Sequence, residues 1–561
     1  MELSNSNQLF ETRCIHSLEK VFADEPLQAI PYTQATVLLN ETFSFQVAYQ
    51  AHDMLKNVKA RAISELGAAV MIRTVGLVPS DFPIYADHDE HVLRTAPGLY
   101  PDPLYPLHIE DIICLPNQWR SLWVTVEANP KRQPGRYSID IVLETEGGEI
   151  LGEEQLELEV LPASLPKQQL VHTQWFHTDC IATAYGVEVW SEEHWRRVEQ
   201  FVTTAVDHGI NMLLTPLFTP PLDTKIGGER PTVQLVDVER IGDTYQFGFD
   251  KLKRWVEMAL QNGIEYIEFS HLFTQWGAEH SPKITAAVNG QTEKIFGWET
   301  DAAGDEYGSF LAQFLPELVQ FIEENGLKEK CYFHISDEPF MKNMEPFRKA
   351  SQLIDQHLQG FSRIEALSDY SFYEQGLVPT PIPATNHIEP FLEHNVPGLW
   401  TYYCCMQYKG VANRFFTFPS ARNRIIGIQL YKFQITGFLQ WGYNFWYSQY
   451  SIKAIDPFRV TDCGGSFPSG DAFLVYPGAD GPIESLRMEV FYDALQDLRA
   501  LQLLETRIGR EAVLELLEDG LEQPITFDVY PREAAWLLNK REQVNRMIAE
   551  HHQEQGELTA L

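Results

Sequence analysis

The chain has 561 residues, 44% of them apolar, and a formal net charge of −35 at pH 7. That length can bury the cores of two or three domains. An acidic surface repels polyanions, so we expect neither nucleic acid nor a membrane as a partner, although the plainer role of such charge is to keep a protein in solution.

The N-terminus has neither the basic start nor the apolar segment of a signal peptide, which predicts a cytoplasmic protein. A run of about 18 apolar residues is absent, so we expect no membrane-spanning helix. The seven cysteines are odd in number and form no CxxC pair. This pattern predicts reduced thiols without a disulfide framework or zinc site, and we expect no metal and no cofactor.

Residues from about 30 to 161 have the pattern of strands joined by turns. Apolar and polar residues alternate in several segments, as in half-buried strands, and the clearest are residues 41–51, 69–79, 118–128 and 135–145. Long helical patterns are absent here, so the region predicts an antiparallel β-sandwich. Residues 155–166 end a strand and pass through two prolines, which places a domain boundary near residue 165.

Strand-like and helical segments alternate beyond this boundary. The predicted strands are residues 170–176, 209–215, 265–270, 331–336, 363–368, 382–387, 398–403 and 437–441. Eight strands separated by helices predict a (β/α)8 TIM barrel over residues 166–482. A doubly wound sheet is the competing topology, but no GxGxxG motif follows the first strand. Residues 483–561 form a third region, with helices predicted at 483–507 and 531–551 that we expect to pack on the barrel.

The most informative segment is EKCYFHISDEPF, residues 329–340. An apolar strand runs into Asp337 and Glu338, and the carboxyl ends of barrel strands carry the chemistry in this fold. Glycoside cleavage needs an acid that protonates the leaving oxygen and an anion that stabilises positive charge. The competing interpretation is structural, because Ser336 or Asp337 shortly before Pro339 can also cap the start of a helix.

The two carboxylates are consecutive, and this adjacency narrows the mechanism. Ordinary retaining glycosidases take their two carboxyl groups from different strands, about 5–5.5 Å apart across the anomeric carbon. Neighbouring residues instead suit substrate assistance, in which the sugar's own 2-acetamido carbonyl attacks the anomeric carbon. One carboxyl group then protonates the leaving oxygen while the other orients the acetamide.

Several segments resemble glycoside hydrolase family 123, whose known members are β-N-acetylgalactosaminidases. The segment HISDEP at residues 334–339 resembles the catalytic strand of that family. Residues 99–106 and 122–137 resemble its N-terminal sandwich, residues 437–446 (GFLQWGYNFW) its eighth strand, and residues 470–501 its C-terminal region. The resemblance therefore covers nearly the whole chain, with the motifs in order.

The resemblance implies a role for each carboxylate. Asp337 corresponds to the aspartate that stabilises the acetamido group, and Glu338 corresponds to the general acid/base. It implies a retaining exo-glycosidase that releases β-linked N-acetylhexosamine, with N-acetylgalactosamine favoured, from an oligosaccharide or glycoconjugate. The family implies the fold and the pair more firmly than the sugar, and it gives no oligomeric state.

Further candidates for substrate binding follow the seventh and eighth predicted strands. Trp441 could form the floor under the sugar ring, and Trp446 and Asn444 lie just beyond it. Tyr402 and Tyr403 end the seventh strand, and alternation turns one of them inward, where a hydroxyl could bond the acetamide carbonyl. Each aromatic residue could instead fill the barrel core.

Polar residues that follow other predicted strands are weaker candidates. They are Asp369 after the fifth strand, Asn386 and His387 after the sixth, and His271 after the third. A lone histidine is more often a structural residue than a ligand or catalyst.

Two other functions fit the same sequence. A carbohydrate-binding protein could retain the fold without turnover. A glycosidase for a sugar that lacks the acetamide would need a nucleophile elsewhere, and Asp369 and Glu389 are the candidates for it.

Overall fold

The computed structural model describes residues 10–109 and 111–559, with side chains up to residue 552. Its strands, numbered in chain order, are β1 (Phe10–His16), β2 (Gln34–Leu39), β3 (Glu41–Ala51), β4 (Leu55–Ile63), β5 (Val70–Ser80), β6 (Gly98–Pro106), β7 (Ile112–Cys114), β8 (Arg120–Ala128), β9 (Gly135–Glu144), β10 (Ile150–Ser164), β11 (Val171–Gln174), β12 (Met212–Thr215), β13 (Asp237–Ile241), β14 (Thr244–Gly248), β15 (Tyr266–Phe269), β16 (Ile284–Val288), β17 (Gln291–Phe296), β18 (Cys331–Phe333), β19 (Ser362–Ala366), β20 (Thr380–Ile382), β21 (Trp400–Tyr402), β22 (Gly437–Gln440), β23 (Tyr476–Pro477) and β24 (Pro482–Ile483).

Its α-helices, numbered in the same way, are α1 (Thr178–Tyr185), α2 (Glu192–Asp207), α3 (Asp250–Gln261), α4 (Asp305–Glu324), α5 (Met344–Asp355), α6 (Ser371–Glu374), α7 (Glu389–Glu393), α8 (Ser420–Arg424), α9 (Ile426–Lys432), α10 (Leu486–Ile508), α11 (Arg510–Glu518) and α12 (Ala534–Thr559). Among the described residues, none of these helices is both long enough and apolar enough to cross a membrane.

The chain divides into two compact units. The first contains the described residues of Met1–Gln169, Lys409–Lys432 and Ile483–Leu561, and the second contains Leu170–Tyr408 and Phe433–Pro482. The predicted domain scheme ended the first region near residue 165 and expected residues 483–561 on the barrel. The contacts instead group those C-terminal residues with the N-terminal strands, where α12 packs on β2 and β10.

The first unit contains two five-stranded sheets, with strand orders β1-β3-β8-β5-β6 and β2-β10-β9-β4-β7. Neighbouring strands are antiparallel in the first sheet. The second sheet contains one parallel pair, β2 with β10, so the antiparallel prediction is wrong for that pair. A single buried cluster combines side chains of both sheets, such as Phe45 and Val124 from the first and Ile141 and Leu158 from the second. These are the apolar positions of the alternating pattern in the sequence.

The second unit is built on an eight-stranded parallel sheet with the order β20-β19-β18-β15-β12-β11-β22-β21. The sheet curves into a nearly closed barrel, since Ala384, just past β20, forms a single parallel bridge with Tyr402 of β21. The eight strands of this sheet occur where the sequence predicts them, with one clear displacement. The sixth barrel strand is Thr380–Ile382, and the following residues turn back, with His387 N donating to Ala384 O at 2.8 Å.

A second, four-stranded sheet in this unit has the order β14-β13-β16-β17. Its strands come from the two chain segments that follow barrel strands β12 and β15, and the sequence analysis did not predict it. Long loops therefore follow the carboxyl ends of these two strands, the side of a barrel on which binding residues collect.

Candidate active site

Asp337 and Glu338 lie just past the carboxyl end of barrel strand β18. Residues 334–340 are irregular, and the next helical segments are Met341–Asn343 and α5. The helix-capping interpretation is therefore wrong, because no helix begins at Pro339. The backbone of Glu338 has a φ of 44°, a left-handed conformation that is uncommon for residues with a side chain and that recurs at functional sites.

A cavity of about 160 Å³ contains both carboxylates. The residues that line it are Trp175, Leu222, Asp223, Gln275, Trp276, Asp337, Glu338, Ala366, Tyr402, Cys404, Cys405, Leu439, Trp441, Gln449, Tyr450 and Phe467. Of these, Asp337, Glu338, Tyr402 and Trp441 are residues that the sequence analysis selected, and this lining contains neither lysine nor arginine.

Three hydrogen bonds fix the acidic dipeptide. The Tyr402 hydroxyl donates to Glu338 Oε1 at 2.5 Å, and Glu338 N donates to Ala366 O at 3.0 Å. Asp337 O accepts a bond of 2.7 Å from Trp276 N, which belongs to the loop after β15. Barrel strands β19 and β21 and the loop after β15 thus hold the pair in its unusual backbone conformation.

Burial and mutual repulsion dominate the electrostatics of the pair. Burial raises the pKa of Asp337 well above its usual range, and the charges of Glu338 and Asp223 raise it further. Burial also raises the pKa of Glu338, while the hydrogen bond from Tyr402 acts in the opposite direction because it stabilises the anion. Like charges this close cannot both ionise freely, so the pair tends to hold one proton, as acid/base catalysis requires.

A third carboxyl group, Asp223, lines the same cavity from the loop after β12. Burial raises the pKa of Asp223 to about 6. Its Oδ2 accepts a bond of 2.9 Å from Tyr450 N, and its own N donates to Gln275 Oε1 at 2.7 Å. The sequence analysis missed this residue because it lies eight positions past the strand end in a proline-rich loop, where spacing carries no signal.

Aromatic side chains form much of the cavity wall. Trp441 Nε1 donates to Asp471 Oδ2 at 2.9 Å, and Phe467 packs edge-on against the Trp441 ring at 5.4 Å. Trp276 and Tyr450 meet edge to face at 6.0 Å. Sugars present apolar C–H faces as well as hydroxyl groups, so fixed rings of this kind suit a pyranose.

A buried acid supports the strand end beneath the cavity. Glu365 of β19 is 1% exposed, and its Oε2 accepts bonds of 3.1 Å from both Ile335 N and Ser336 N. The Ser336 hydroxyl donates to Thr274 O at 2.7 Å. Burial raises the pKa of Glu365 well above its usual range. The two residues that precede Asp337 are therefore fixed by an acid that does not line the cavity.

One group of buried residues has the composition of a metal centre. Ligand atoms of His271, His334 and Glu365 lie within 4.8 Å of one another, and His334 Nε2 is 2.6 Å from Glu268 Oε1. The two imidazole rings, however, stack at 4.3 Å with 27° between their planes. A ligated ion lies in the plane of each imidazole at about 2.0–2.1 Å from nitrogen, and stacked rings do not converge in that way. The arrangement thus fits two packed imidazole rings better than it fits a metal.

Other predicted site residues are buried outside the cavity lining. Tyr403 packs edge-on against Phe438, and Trp446 Nε1 donates to Val475 O at 3.1 Å. Asn444 bonds the backbone of His177 through both its oxygen and its nitrogen, at 2.8 and 3.1 Å. These residues pack in the core or form hydrogen bonds with loop backbone. The sequence analysis had left such structural roles open as the alternative to substrate binding.

Residues after the fifth and sixth strands also lie outside the cavity lining. Asn386 and His387 are exposed, because the sixth strand ends at Ile382 and the chain turns before reaching them. Asp369 accepts bonds from Ser371 N and Oγ at 3.1 and 2.5 Å, which makes it a local turn residue.

His271, which follows the third barrel strand, is buried against Trp175 and His334. Burial lowers the pKa of His271 well below the usual range, so its imidazole is neutral.

Comparison with known proteins identifies first a class and then a family. Residues 175–504, more than half of the chain, match the family model described as glycoside hydrolase 123, catalytic domain. The protein is a glycoside hydrolase. More narrowly, the chain belongs to glycoside hydrolase family 123.

A solved structure shares the fold of this chain. A family 123 glycoside hydrolase from Clostridium perfringens, described in a study of glycolipid glycan hydrolysis, is 16% identical, with a TM-score of 0.73 over 98% of this chain and 99% of that one. A putative β-galactosidase from Bacteroides fragilis is more distant, with 10% identity and a TM-score of 0.30 over 78% of this chain and 56% of that one. No curated protein sequence showed a significant match.

Proposed function

We propose that this protein is a retaining exo-glycosidase that releases β-linked N-acetylhexosamine, with N-acetylgalactosamine favoured, by participation of the substrate's 2-acetamido group. The observation that carries the proposal is the placement of consecutive Asp337 and Glu338 in one cavity, with Tyr402 bonded to Glu338. Two carboxyl groups on adjacent residues, with no cation in the lining, suit an acid and an acetamide-orienting anion.

The first chemical step breaks the glycosidic bond. The acetamide carbonyl oxygen attacks the anomeric carbon as the bond to the leaving oxygen breaks, and Glu338 transfers its proton to that oxygen. The sugar becomes a cyclic oxazolinium. The Asp337 carboxylate accepts a hydrogen bond from the acetamide N–H and stabilises the positive charge that develops there.

Substrate binding explains how the proton comes to lie on Glu338. In the free cavity Tyr402 stabilises the Glu338 anion, which favours a proton on Asp337. A bound acetamide reverses this preference, because its N–H stabilises the Asp337 anion and its carbonyl offers Tyr402 a new acceptor. A bound N-acetylated sugar therefore favours the protonated form of the acid, which is a form of substrate selection.

The second step restores the acetamide. Glu338, now ionised, takes a proton from a water molecule, whose oxygen attacks the anomeric carbon and opens the oxazolinium. Two inversions at this carbon retain the β configuration. The family resemblance favours N-acetylgalactosamine, and the Clostridium perfringens relative suggests glycolipid glycans as one source of it.

Isosteric variants test the pair. On a nitrophenyl β-N-acetylgalactosaminide, Asp337→Asn should lower kcat by about a thousandfold or more, since the orienting charge is lost. Glu338→Gln should lose at least as much on substrates with poor leaving groups and less on activated ones, because an activated oxygen leaves without a proton. Glu317→Gln, on the exposed face of α4, is the matched control and should retain activity. Full activity in both cavity variants would remove the proposal.

The two rival functions make different predictions. A protein that only binds carbohydrate would release no sugar from any aryl glycoside. A glycosidase with another nucleophile would cleave glycosides that lack the acetamide and would resist a thiazoline mimic of the oxazolinium. Asp369 and Glu389, the candidate nucleophiles for that case, do not line the cavity. We expect cleavage of 2-acetamido substrates alone, with inhibition by the thiazoline.

We also propose that the two N-terminal sheets form a β-sandwich domain. The cluster that combines apolar side chains of both sheets supports this interpretation. Deletion of residues 1–165 should give an insoluble or unfolded protein if α10 and α12 depend on these sheets, as their contacts with β2, β6 and β10 suggest.

A further inference from the structure

Asp223 has no role in the chemistry described above, although it is the third acid of the cavity. It lies on the loop that follows β12, whereas Asp337 and Glu338 follow β18. The three acids are close enough for the charge of Asp223 to raise the pKa of Asp337. A carboxylate in this position adds repulsion to a pair that already repels itself, so its presence in the cavity needs a reason.

The loop that carries Asp223 is fixed by bonds to two other loops. Tyr450 N donates to Asp223 Oδ2 at 2.9 Å, and the Ser451 hydroxyl donates to Asp223 O at 2.8 Å. Gln275 Oε1 accepts a bond of 2.7 Å from Asp223 N. The side chain is therefore held in one direction by residues that follow β15 and β22.

The backbone around these bonds is left-handed at several residues that carry side chains. Asp223 has a φ of 38°, Tyr450 of 60°, Ser451 of 53° and Trp276 of 63°. Such conformations are costly and cluster at functional sites, where the surrounding structure holds them in place. Strain concentrated at the residues that present one acid to a cavity argues that the direction of this acid matters.

One oxygen of Asp223 remains available to a ligand. Oδ2 is used by Tyr450, whereas Oδ1 has no hydrogen-bond partner among the described residues. A carboxylate can only accept hydrogen bonds, and the hydroxyl groups of a neutral sugar are donors of matching strength. A sugar that carries a carboxylate or sulfate would be repelled by the three acids of the lining.

We propose that Asp223 is a specificity-determining residue, whose Oδ1 accepts a hydrogen bond from one ring hydroxyl of the terminal sugar. The inference rests on the proposed function, because it assumes that the N-acetylhexosamine occupies this cavity. It adds the substrate class, a neutral hexosamine with that hydroxyl free. Substitution of the hydroxyl, for example by a sulfate, would prevent binding.

Paired changes in enzyme and substrate test the inference. The substrates are nitrophenyl β-N-acetylgalactosaminide, its epimer at the ring carbon that distinguishes N-acetylglucosamine, and the deoxy analogues that each lack one ring hydroxyl. The variants are Asp223→Asn, which keeps an oxygen for Tyr450 N, and Asp223→Ala. The exposed Asp480→Asn is the control for loss of one charge.

We expect both Asp223 variants to lose about 10- to 100-fold in kcat/KM on the parent substrate, mainly through KM, as fits loss of a charge-assisted hydrogen bond. For one deoxy analogue the wild type should already show this loss, and the Asp223 variants should show little more, because the two changes remove the same contact. Asp480→Asn should match the wild type throughout.

Two results would overturn the inference while leaving the proposed function intact. One is an Asp223→Ala enzyme within twofold of the wild type on the parent substrate. The other is an equal loss on every deoxy analogue, which would indicate a general disturbance of the loops. A wild type that cleaves no 2-acetamido glycoside would instead defeat the proposed function, and the inference would fall with it.

Discussion

A cluster of buried acids in the first unit and the acidic pair of the cavity in the second have opposite surroundings. In the first unit, Arg424 donates two bonds, of 2.7 and 2.8 Å, to Asp497, and Arg541 donates a third of 2.7 Å. In the second unit, Asp337 and Glu338 lie in a cavity whose lining contains neither arginine nor lysine. Both regions bury carboxyl groups, but only the first supplies the cations that compensate for their desolvation.

The pKa shifts follow this difference. Burial alone would raise the pKa of Asp497, but the charges and hydrogen bonds of Arg424 and Arg541 lower it below the usual range. The pKa of Asp337 is raised because burial and neighbouring anions act together. Asp493 is an exception in the first unit, since burial raises its pKa to about 7 despite the nearby Arg424. Acids that are paired with arginine stabilise the fold, whereas acids without a cation beside them retain a proton that a catalytic step can transfer.

The largest expected effect would come from removing a cation in the first unit. Arg424→Met leaves Asp497 and Asp493 buried with fewer partners, so it should lower the free energy of unfolding by about 3–5 kcal/mol. The measurement is urea unfolding, with Arg546→Met as the control. Arg546 forms exposed pairs with Glu159 and Glu542, so its loss should cost less than about 1 kcal/mol.

The opposite result is expected in the cavity, where Asp337→Asn replaces a buried acid that has no cation beside it in the lining, so the change should not lower stability. If Arg424→Met and Arg546→Met cost the same, or if Asp337→Asn strongly destabilises the protein, the distinction between paired and unpaired acids would fail.

A smaller effect, on catalysis, is expected at Glu365. Glu365→Ala leaves the N–H groups of Ile335 and Ser336 without their acceptor and should lower kcat about 10- to 100-fold with little change in KM, because Asp337 and Glu338 lose their positioning. Glu365→Gln keeps an amide oxygen as acceptor and should recover most of the activity. Steady-state kinetics on the nitrophenyl substrate provide the measurement. Equal losses in both variants would mean that the charge of Glu365, rather than its hydrogen bonds, is required.

The smallest effects concern pH and have opposite signs in the two units. Burial would raise the pKa of Asp89, but bonds from Arg422 and backbone N–H groups lower it from 3.8 to about 2, so its stabilisation is lost as pH falls from about 4 to about 2. The pKa of Asp223 is raised from 3.8 to about 6, so the folded state loses stability as pH rises from about 4 to about 6. Each contribution should be about 1 kcal/mol after screening by solvent.

Unfolding midpoints between pH 2 and pH 7 measure both contributions, with Asp89→Asn and Asp223→Asn compared with the wild type. Asp89→Asn should flatten the acid side of the curve, and Asp223→Asn should raise stability near pH 7 relative to pH 4. The same sign for both variants would contradict the comparison.

Much of the barrel could be predicted because its strands are short, apolar and separated by strong helical periodicity. The exception was the sixth strand, predicted at residues 382–387 and found at Thr380–Ile382. A proline lies on each side of Ile382, at 381 and 383, and proline patterns do not fix which residues join the sheet. The error displaced Asn386 and His387 from a strand end to an exposed turn.

Site residues could be predicted from the sequence where they directly follow the end of a barrel strand. Asp337, Glu338, Tyr402 and Trp441 all line the cavity, and each lies at or within five residues of the end of a barrel strand. Asp223 and the other lining residues of the long loops were not predictable, because loop conformation depends on contacts with distant segments rather than on periodicity.

The sequence by itself determined the eight barrel strands, the acidic dipeptide at the end of the fourth and the resemblance to a family. These properties depend on local patterns and on residue order along the chain. Only the tertiary structure decided which candidates share a cavity, that Tyr402 rather than Tyr403 contacts Glu338, and that Asp223 joins the pair. Those facts depend on side-chain direction and long loop connections, which are fixed by packing between residues far apart in the sequence.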